Sequence, residues 1–319
     1  MAMSRFSGIV DKKTAEQGPA YVREIRQVRT ALWAAVAQAE HVAWQIALRR
    51  KFLSSNTRSE KFSLPCEGWS AISELRRKPY LEGTRHPHEQ TIEVVANHAP
   101  VSRKAFYSVL WQVLSPQTDL QTCMNTVFAF DDEKLDALVS NLLLGQAHNV
   151  AEHLVDLRAT GALVAYIRLL GHERNYVRAF EVGCALTQSL CYHAVNPLFV
   201  TVAPRLWNVV SKGVLEGLQN SQFRFSRCSD GFQYFSDTLW ARLTSAEALY
   251  GVHRLAAGPK FRWETIVDMN CECIRGFATP GHDRPDLLQS FLDVGSANRH
   301  LVSGLDKDPL FRSVGPKRL

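Results

Sequence analysis

Three short runs of basic residues carry the clearest chemistry in this 319-residue sequence. They are Arg49-Arg50-Lys51, Arg76-Arg77-Lys78 and Arg103-Lys104, and the aromatic residues Phe52, Tyr80 and Phe106 stand close to them. Lysine and arginine neutralise phosphates, and a ring beside them can stack on an exposed base. The pattern predicts contact with nucleic acid, mainly with backbone phosphates and therefore sensitive to salt. The alternative is that these side chains only solvate the ends of helices.

The net charge of +6 is concentrated in the two ends of the chain. Residues 1–104 carry 17 Lys and Arg against 10 Asp and Glu, residues 105–200 carry 5 against 9, and residues 201–319 carry 15 against 12. This asymmetry favours an anionic partner that contacts the flanks, and nucleic acid is the commonest such partner. A solubilising excess of surface charge would explain the same numbers without a partner.

Catalytic and metal-binding patterns are weak by comparison. The densest group of possible ligands or acid–base side chains is His86-Pro87-His88-Glu89, which a solvated loop also explains. Cys271-Glu272-Cys273 lacks the second pair of cysteines that a zinc site needs, and no glycine-rich phosphate loop occurs. We therefore expect no catalytic residue, no metal site and no cofactor. A Cys–His nucleophile pair assembled only in the fold stays open, so an all-α enzyme is the third functional alternative.

The seven cysteines form no paired framework and lie mostly within apolar helical patterns. An odd number in such positions predicts a reducing compartment, with the thiols serving as small core residues. Residues 1–19 contain no continuous apolar segment typical of a secretory signal, and no run reaches the roughly 18 to 20 apolar residues that cross a bilayer. We therefore expect the mitochondrial matrix or the cytoplasm, neither secretion nor a membrane span.

The first basic run ends the longest helical pattern in the chain, which covers residues 20–53. One apolar stripe alternates at spacings of four and three: Tyr21, Ile25, Val28, Leu32, Ala35, Ala39, Val42 and Ile46. A second apolar face includes Trp33, Val36 and Trp44. A helix that is apolar on two sides must be covered on two sides. Either the rest of the chain covers both faces, or Trp33, Val36 and Trp44 bind a partner protein.

The middle of the chain nearly repeats itself. Leu143-Leu144-Gly145 is followed by Asn149, and Leu169-Leu170-Gly171 is followed at the same distance by Asn175. Apolar residues recur every three or four positions on both sides of each glycine, which predicts two stacked helical hairpins. In the first hairpin, Val150, Ala151, Leu154 and Leu157 should share one helix. The only segment that resembles a strand covers residues 91–96.

The second hairpin resembles a pentatricopeptide repeat over about one repeat. The resemblance is carried by Tyr166, Leu169 and Leu170 in a first helix, Ala179-Phe180-Glu181 in a second, and Asn196-Pro197 with Thr201 at the exit. It implies an α-solenoid that binds single-stranded RNA or serves as a scaffold in organelle ribonucleoproteins. The Leu-Leu-Gly motif recurs after 26 residues, whereas the helical repeats of that kind have about 34. No base-reading positions are therefore transferred.

We predict an all-α protein with a long N-terminal helix and a bundle or short α-solenoid of helical hairpins. Its parts are a polar leader (1–19), a basic N-terminal helical region (20–116), a helical-hairpin repeat core (117–260), C-terminal helices (261–304) and a basic tail (305–319). The leading hypothesis is a non-catalytic scaffold subunit of a ribonucleoprotein, such as a mitochondrial ribosome or an RNA-processing complex, with RNA and other protein subunits as partners. The alternative is a protein–protein interaction scaffold that does not bind RNA.

Overall fold

The computed structural model describes residues 18–54, 67–196 and 198–218, and residues 232–241 apart from 234 and 238. All regular secondary structure in these ranges is helical, which confirms the predicted all-α class and the long N-terminal helix. The α-helices are α1 (Pro19–Ser54), α2 (Glu74–Leu81), α3 (Glu89–Ala96), α4 (Pro100–Phe106), α5 (Leu110–Leu114), α6 (Leu120–Phe130), α7 (Asp132–Leu143), α8 (Leu157–His172), α9 (Tyr176–Val195) and α10 (Ala203–Val210). Shorter turns of 3-10 helix cover Gly68–Ala71 and Ala147–Val150, and a π-helical turn covers Ser211–Leu215.

Helix α1 lies between two separate hydrophobic clusters, which explains its two apolar faces. The stripe that begins with Tyr21 and Ile25 packs into the main core. Trp33, on the other face, packs in a smaller cluster with Trp69 and Tyr80. Helices α2 to α4 and the 3-10 turn before them therefore cover the side of α1 that the main core leaves open.

The centre of the main core is a hairpin of α8 and α9, as the Leu-Leu-Gly pattern around Gly171 predicts. The Asp156 carboxylate accepts a hydrogen bond from the Arg158 backbone N–H and starts α8. The Asn175 side chain accepts from the Arg178 N–H and starts α9. These caps satisfy backbone donors that the first turn of a helix leaves free. Nearly the whole of α9 is buried, so it serves as the central rod of the bundle.

The first predicted hairpin is wrong in its second half. Val150, Ala151, Leu154 and Leu157 are all buried, but they do not share a helix. The chain passes through the 3-10 turn Ala147–Val150 and a series of further turns, and α8 begins only at Leu157. Asp156 accounts for this start because its side chain caps the helix that follows it.

The predicted strand at residues 91–96 is also wrong, because this segment lies in α3. Ile92 and Val95 are buried and three residues apart, whereas Val94 is 49% exposed. Burial at a spacing of three is the pattern of a helix resting on one side. The β-branched residues of this segment favour a strand by propensity, and packing against the smaller cluster overrides that preference.

Tyr21 connects the start of α1 to the π-helical turn that follows α10. Its hydroxyl donates a hydrogen bond to the Val209 carbonyl oxygen at 3.0 Å. The aromatic ring lies directly against Gly213, where a Cβ atom would overlap the Tyr21 hydroxyl oxygen. Gly213 therefore gives Tyr21 the space to reach Val209, and the start of α1 is joined to the end of α10 at this point.

The predicted C-terminal helices (261–304), the basic tail (305–319) and all of the leader except residues 18 and 19 lie outside the described residues. In the part of the chain that is described, every helix is too short or too polar to span a lipid bilayer.

Candidate functional site

Arginines recur every third residue along the first half of α1. Arg23 and Arg26 are exposed, and Arg29 is half-buried. Residues three apart on a helix are neighbours on its surface, so these three cations form a stripe. They are not among the predicted nucleic-acid-binding residues, because they are not adjacent in the sequence. Their spacing within a long helical pattern was the signal that could have identified them.

The Arg29 guanidinium is held in place by two rings. Its central carbon lies 4.5 Å from the centroid of the Phe106 ring, a cation–π contact. One of its terminal nitrogens lies 3.2 Å from Nε2 of His86. The other ring nitrogen, Nδ1, lies 3.1 Å from the Thr30 hydroxyl oxygen. Arg29 is therefore fixed in one orientation at the edge of the smaller hydrophobic cluster.

These contacts define the role of His86. An arginine can only donate hydrogen bonds, so Nε2 of His86 must accept and Nδ1 must carry the proton toward Thr30. Partial burial lowers the pKa of His86, and the charges of Arg29 and Arg26 lower it further. Both ring nitrogens are occupied by protein partners. In this arrangement His86 positions Arg29.

A tight turn brings His86 onto α1. Gly83 has a φ of 71°, and a Cβ atom there would overlap the Gln27 carbonyl oxygen of α1. Only glycine combines this backbone conformation with such a close approach. From the other side, Arg205 of α10 donates a hydrogen bond to the Glu82 carbonyl oxygen at 3.0 Å. The turn is thus held on both sides, and it places exposed Arg85 beside His86.

The end of α4 adds a cation and an exposed ring. Arg103 lies over Tyr107, with its guanidinium carbon 5.7 Å from the ring centroid, and forms an ion pair with Glu93 at 2.9 Å. Tyr107 is 50% exposed and packs edge-on against Phe106. Because Arg29 stacks on Phe106, the predicted run Arg103-Lys104 adjoins the arginine stripe of α1. We call this surface the Arg29 face; it consists of Arg23, Arg26, Arg29, Arg85, Arg103 and Tyr107.

The other members of the predicted basic runs are placed differently. Lys104 is exposed, and its charge acts on Glu40, whose carboxylate accepts from the backbone N–H groups of Val101 and Ser102 at the start of α4. The backbone of Arg49-Arg50-Lys51 belongs to the end of α1, and the side chains of this run lie outside the described part of the structure.

The run Arg76-Arg77-Lys78 divides into one structural and two exposed residues. The Arg77 guanidinium donates to the backbone carbonyl oxygens of Ile72 at 2.6 Å and Ser70 at 3.0 Å. Arg77 therefore holds the 3-10 turn against α2, and its assignment as a nucleic-acid-binding residue stays a prediction. Arg76 and Lys78 are exposed on α2, where Lys78 lies 3.9 Å from Glu82.

Two of the three predicted partner-binding residues are buried within the chain itself. Trp33 and Val36 are fully buried, which corrects their assignment as a docking surface. The Trp33 ring meets the rings of Trp69, Tyr80 and Phe106 edge-on at 5.5 to 6.2 Å. The physical reason is that a face bearing so large an apolar ring is stabilised by burial within the domain. Trp44 is half-buried between the rings of His41 and His98.

The described cysteines are buried and poorly placed for nucleophilic chemistry. Burial raises the pKa of the Cys123 thiol, raises that of Cys184 to about 12 and raises that of Cys191 well above its ordinary value. Because the thiolate is the reactive form, these three side chains serve as small core residues. Within the described ranges, no three His, Cys, Asp or Glu side chains come together in a way that could hold a metal ion.

Comparison of the chain with protein-family models, with curated proteins and with solved structures gave no match. The resemblance to a pentatricopeptide repeat therefore stays an expectation that rests on the residues quoted for it.

Proposed function

We propose that this protein is a non-catalytic helical scaffold subunit of a ribonucleoprotein and that it contacts RNA through the Arg29 face. The observation that supports this most strongly is that three separate cation-bearing segments meet at Arg29, through its contacts with Phe106 and His86. Arg26 and Arg29 come from α1, Arg85 from the turn after α2, and Arg103 and Tyr107 from the end of α4. Separate segments contribute to one surface, as expected of a binding site.

The chemistry of these groups suits a single-stranded polyanion. Guanidinium groups bind phosphate oxygens with two donors, and a half-exposed tyrosine offers a ring on which a base can stack. Arg29 is already held by Phe106 and His86, so less conformational entropy is lost when it binds. Such contacts would fix the RNA backbone and stack bases without reading a defined sequence.

The charge of the neighbouring regions also directs RNA to this face. Residues 18–54 carry six Lys and Arg against two Asp and Glu, whereas residues 105–200 carry 5 against 9. Phosphates are therefore attracted toward α1 and repelled from the helical middle of the chain. The mitochondrial location that the repeat resemblance implies is part of this proposal.

Replacing two exposed arginines of the Arg29 face should weaken RNA binding without unfolding the protein. We expect the double variant Arg26→Gln and Arg103→Gln to raise the Kd for a single-stranded oligouridine by about tenfold, since each arginine lost removes a phosphate contact. Filter binding at fixed salt measures the Kd, and circular dichroism checks that the helices are retained.

The matched control removes two exposed cations from the acidic middle of the chain. Lys134 forms an ion pair with Asp131, and Arg158 forms one with Asp156. The double variant Lys134→Gln and Arg158→Gln changes the net charge by the same amount and should leave the Kd within about twofold. Equal losses in the two double variants would mean that net charge, and not the Arg29 face, governs binding.

A protein-interaction scaffold without RNA is the second candidate function. The observation that favours it is the exposed continuation of the α1 stripe, where Val42 is 47% exposed and Ile46 is 46% exposed. These residues lie four apart, on one side of the part of α1 that extends past the described core. Absence of oligouridine binding by the wild-type chain would favour this candidate.

A further inference from the structure

A second apolar row lies on α6. Helix α6 buries Cys123, Thr126 and Val127 on one side. On another side it exposes three large apolar residues at a spacing of four: Leu120 (37% exposed), Met124 (41%) and Phe128 (67%). At 1.5 Å of rise per residue, this row extends over about 12 Å. Three aligned apolar side chains differ from the single exposed residues that cover any protein surface.

Carboxylates stand at both ends of this row. Asp119 precedes Leu120, and Asp131, Asp132 and Glu133 follow the last turn of α6. The only cation between residues 119 and 136 is Lys134, which is paired with Asp131 at 3.5 Å. Asp119 and Asp131 also accept hydrogen bonds from the Thr122 and Glu133 backbone N–H groups. One carboxylate at each end of the row, Asp119 or Asp131, is therefore held in a fixed place.

The row is supported by a well-anchored helix. The buried side of α6, including Cys123 and Val127, belongs to the main core, and α6 packs along α8. The Asp119 cap orders its first turn. The row is therefore ordered before a partner binds. Little conformational entropy of α6 is lost on binding, which favours the complex.

We propose that the row Leu120–Met124–Phe128 binds an amphipathic helix of a partner protein that carries basic residues at both ends of its apolar face. A helix with apolar residues at positions i, i+4 and i+8 matches the length of the row. Lysine or arginine at the ends of that helix would meet Asp119 on one side and Asp132 and Glu133 on the other. The proposal does not rest on RNA binding.

Charge also excludes the other simple occupants. In a symmetric pair of copies with antiparallel α6 helices, Asp119 of one copy would face the acidic turn of the other, and these like charges repel. RNA phosphates and an anionic membrane surface would be repelled in the same way. A basic partner helix is the occupant for which both the apolar row and its charged ends are complementary.

A synthetic peptide can test this proposal on the full chain. The probe is a fluorescein-labelled Leu/Lys peptide of about 18 residues, designed with one apolar helical face and lysines at both ends. Fluorescence anisotropy should show saturable binding that weakens with salt. The same composition in scrambled order, which keeps the charge and removes the apolar face, should bind at least tenfold more weakly.

Substitutions on the row should remove the binding, whereas a distant one should not. We expect Phe128→Ser to weaken binding at least tenfold, and the double variant Asp132→Asn and Glu133→Gln to weaken it and to reduce its salt dependence. Leu75→Ser is the control, because Leu75 is 89% exposed on α2. Equal binding by wild type and Phe128→Ser, equal binding of the scrambled peptide, or self-association of the chain lost in Phe128→Ser would overturn the proposal.

Discussion

The free energy of unfolding should fall by about 3 kcal/mol between neutral pH and pH 4 because of one side chain, His193. His193 lies near the end of α9 and is completely buried between Thr160 of α8 and Phe199 of the turn that follows α9. Burial lowers the pKa of His193 to about 4 in the folded protein, below the value of about 6.5 expected in the unfolded chain. As the pH falls through this interval, the unfolded chain binds a proton that the folded protein does not. Stability from this group is therefore complete above pH 6.5 and lost progressively toward pH 4.

The surroundings of His193 explain why the folded protein keeps it neutral. The Thr160 hydroxyl donates to the Asp156 carbonyl oxygen at 3.2 Å, so Nε2 of His193 acts as the donor toward Thr160 at 3.1 Å. Nδ1 is buried and has no hydrogen-bond partner among the described residues. The ring also stacks on Phe199 at a centroid distance of 5.0 Å. A proton added at Nδ1 would place a charge and an unpaired N–H in an apolar environment.

Urea denaturation at a series of pH values measures this effect. In His193→Gln, the loss of stability between neutral pH and pH 4 should be smaller than in wild type by about 2 to 3 kcal/mol, although the variant is less stable at neutral pH. His172→Gln, which changes an exposed histidine at the end of α8, should keep the wild-type dependence. Partial burial also lowers the pKa of His41 and His86, and their contribution is common to all three proteins. Parallel pH profiles for wild type and His193→Gln would contradict this account.

Gly213→Ala should lower the free energy of unfolding by about 3 kcal/mol, since it overpacks a filled site and breaks a buried hydrogen bond. The added methyl group would overlap the Tyr21 hydroxyl oxygen and lie 2.6 Å from the ring carbon that bears it. Tyr21 is only 6% exposed, and its hydroxyl is held by the Val209 carbonyl oxygen, so the ring cannot swing away freely. Either the start of α1 or the π-helical turn must shift.

Gly217 provides a matched control a few residues further along, in the α-helical turn Glu216–Leu218. A Cβ atom at Gly217 would meet no other atom within 4 Å. Gly217→Ala should therefore raise the free energy of unfolding by up to about 1 kcal/mol, because alanine favours a helix more than glycine does. Thermal and urea denaturation of the two variants measures both effects. If the two substitutions changed the free energy of unfolding equally, helix propensity would explain the result, and contact with Tyr21 would not.

The sequence predicts the parts of this fold that depend on local periodicity. The stripe from Tyr21 through Leu32 and the hairpin around Gly171 are correct, because apolar spacings of three and four are repeated over many turns. The prediction that Val150 to Leu157 share one helix is wrong. The apolar stripe of this segment is buried, as a helical pattern predicts. A turn followed by the capped start of α8 buries it as completely as one continuous helix would.

The Arg29 face could be predicted only in part. The run Arg103-Lys104 was visible in the sequence, and so were the histidines at 86 and 88. The contact that brings these segments together joins residues 57 positions apart, Arg29 and His86, and no local pattern encodes it. Arg77 belongs to a basic run, and the sequence therefore does not reveal its structural role. Its guanidinium donates hydrogen bonds to two backbone carbonyl oxygens. Trp33 is likewise a candidate docking residue in the sequence, because only the structure identifies the rings that cover it.

The most direct test of the RNA proposal is the salt dependence of oligouridine binding by the full chain. If four to six cations contact phosphates, the logarithm of the association constant should fall linearly with the logarithm of salt concentration, with a slope of about −3 to −4. The double variant Arg26→Gln and Arg103→Gln should make that slope shallower by about 1 to 2. A flat dependence for the wild type, or the same slope in wild type and variant, would contradict RNA contact through the Arg29 face.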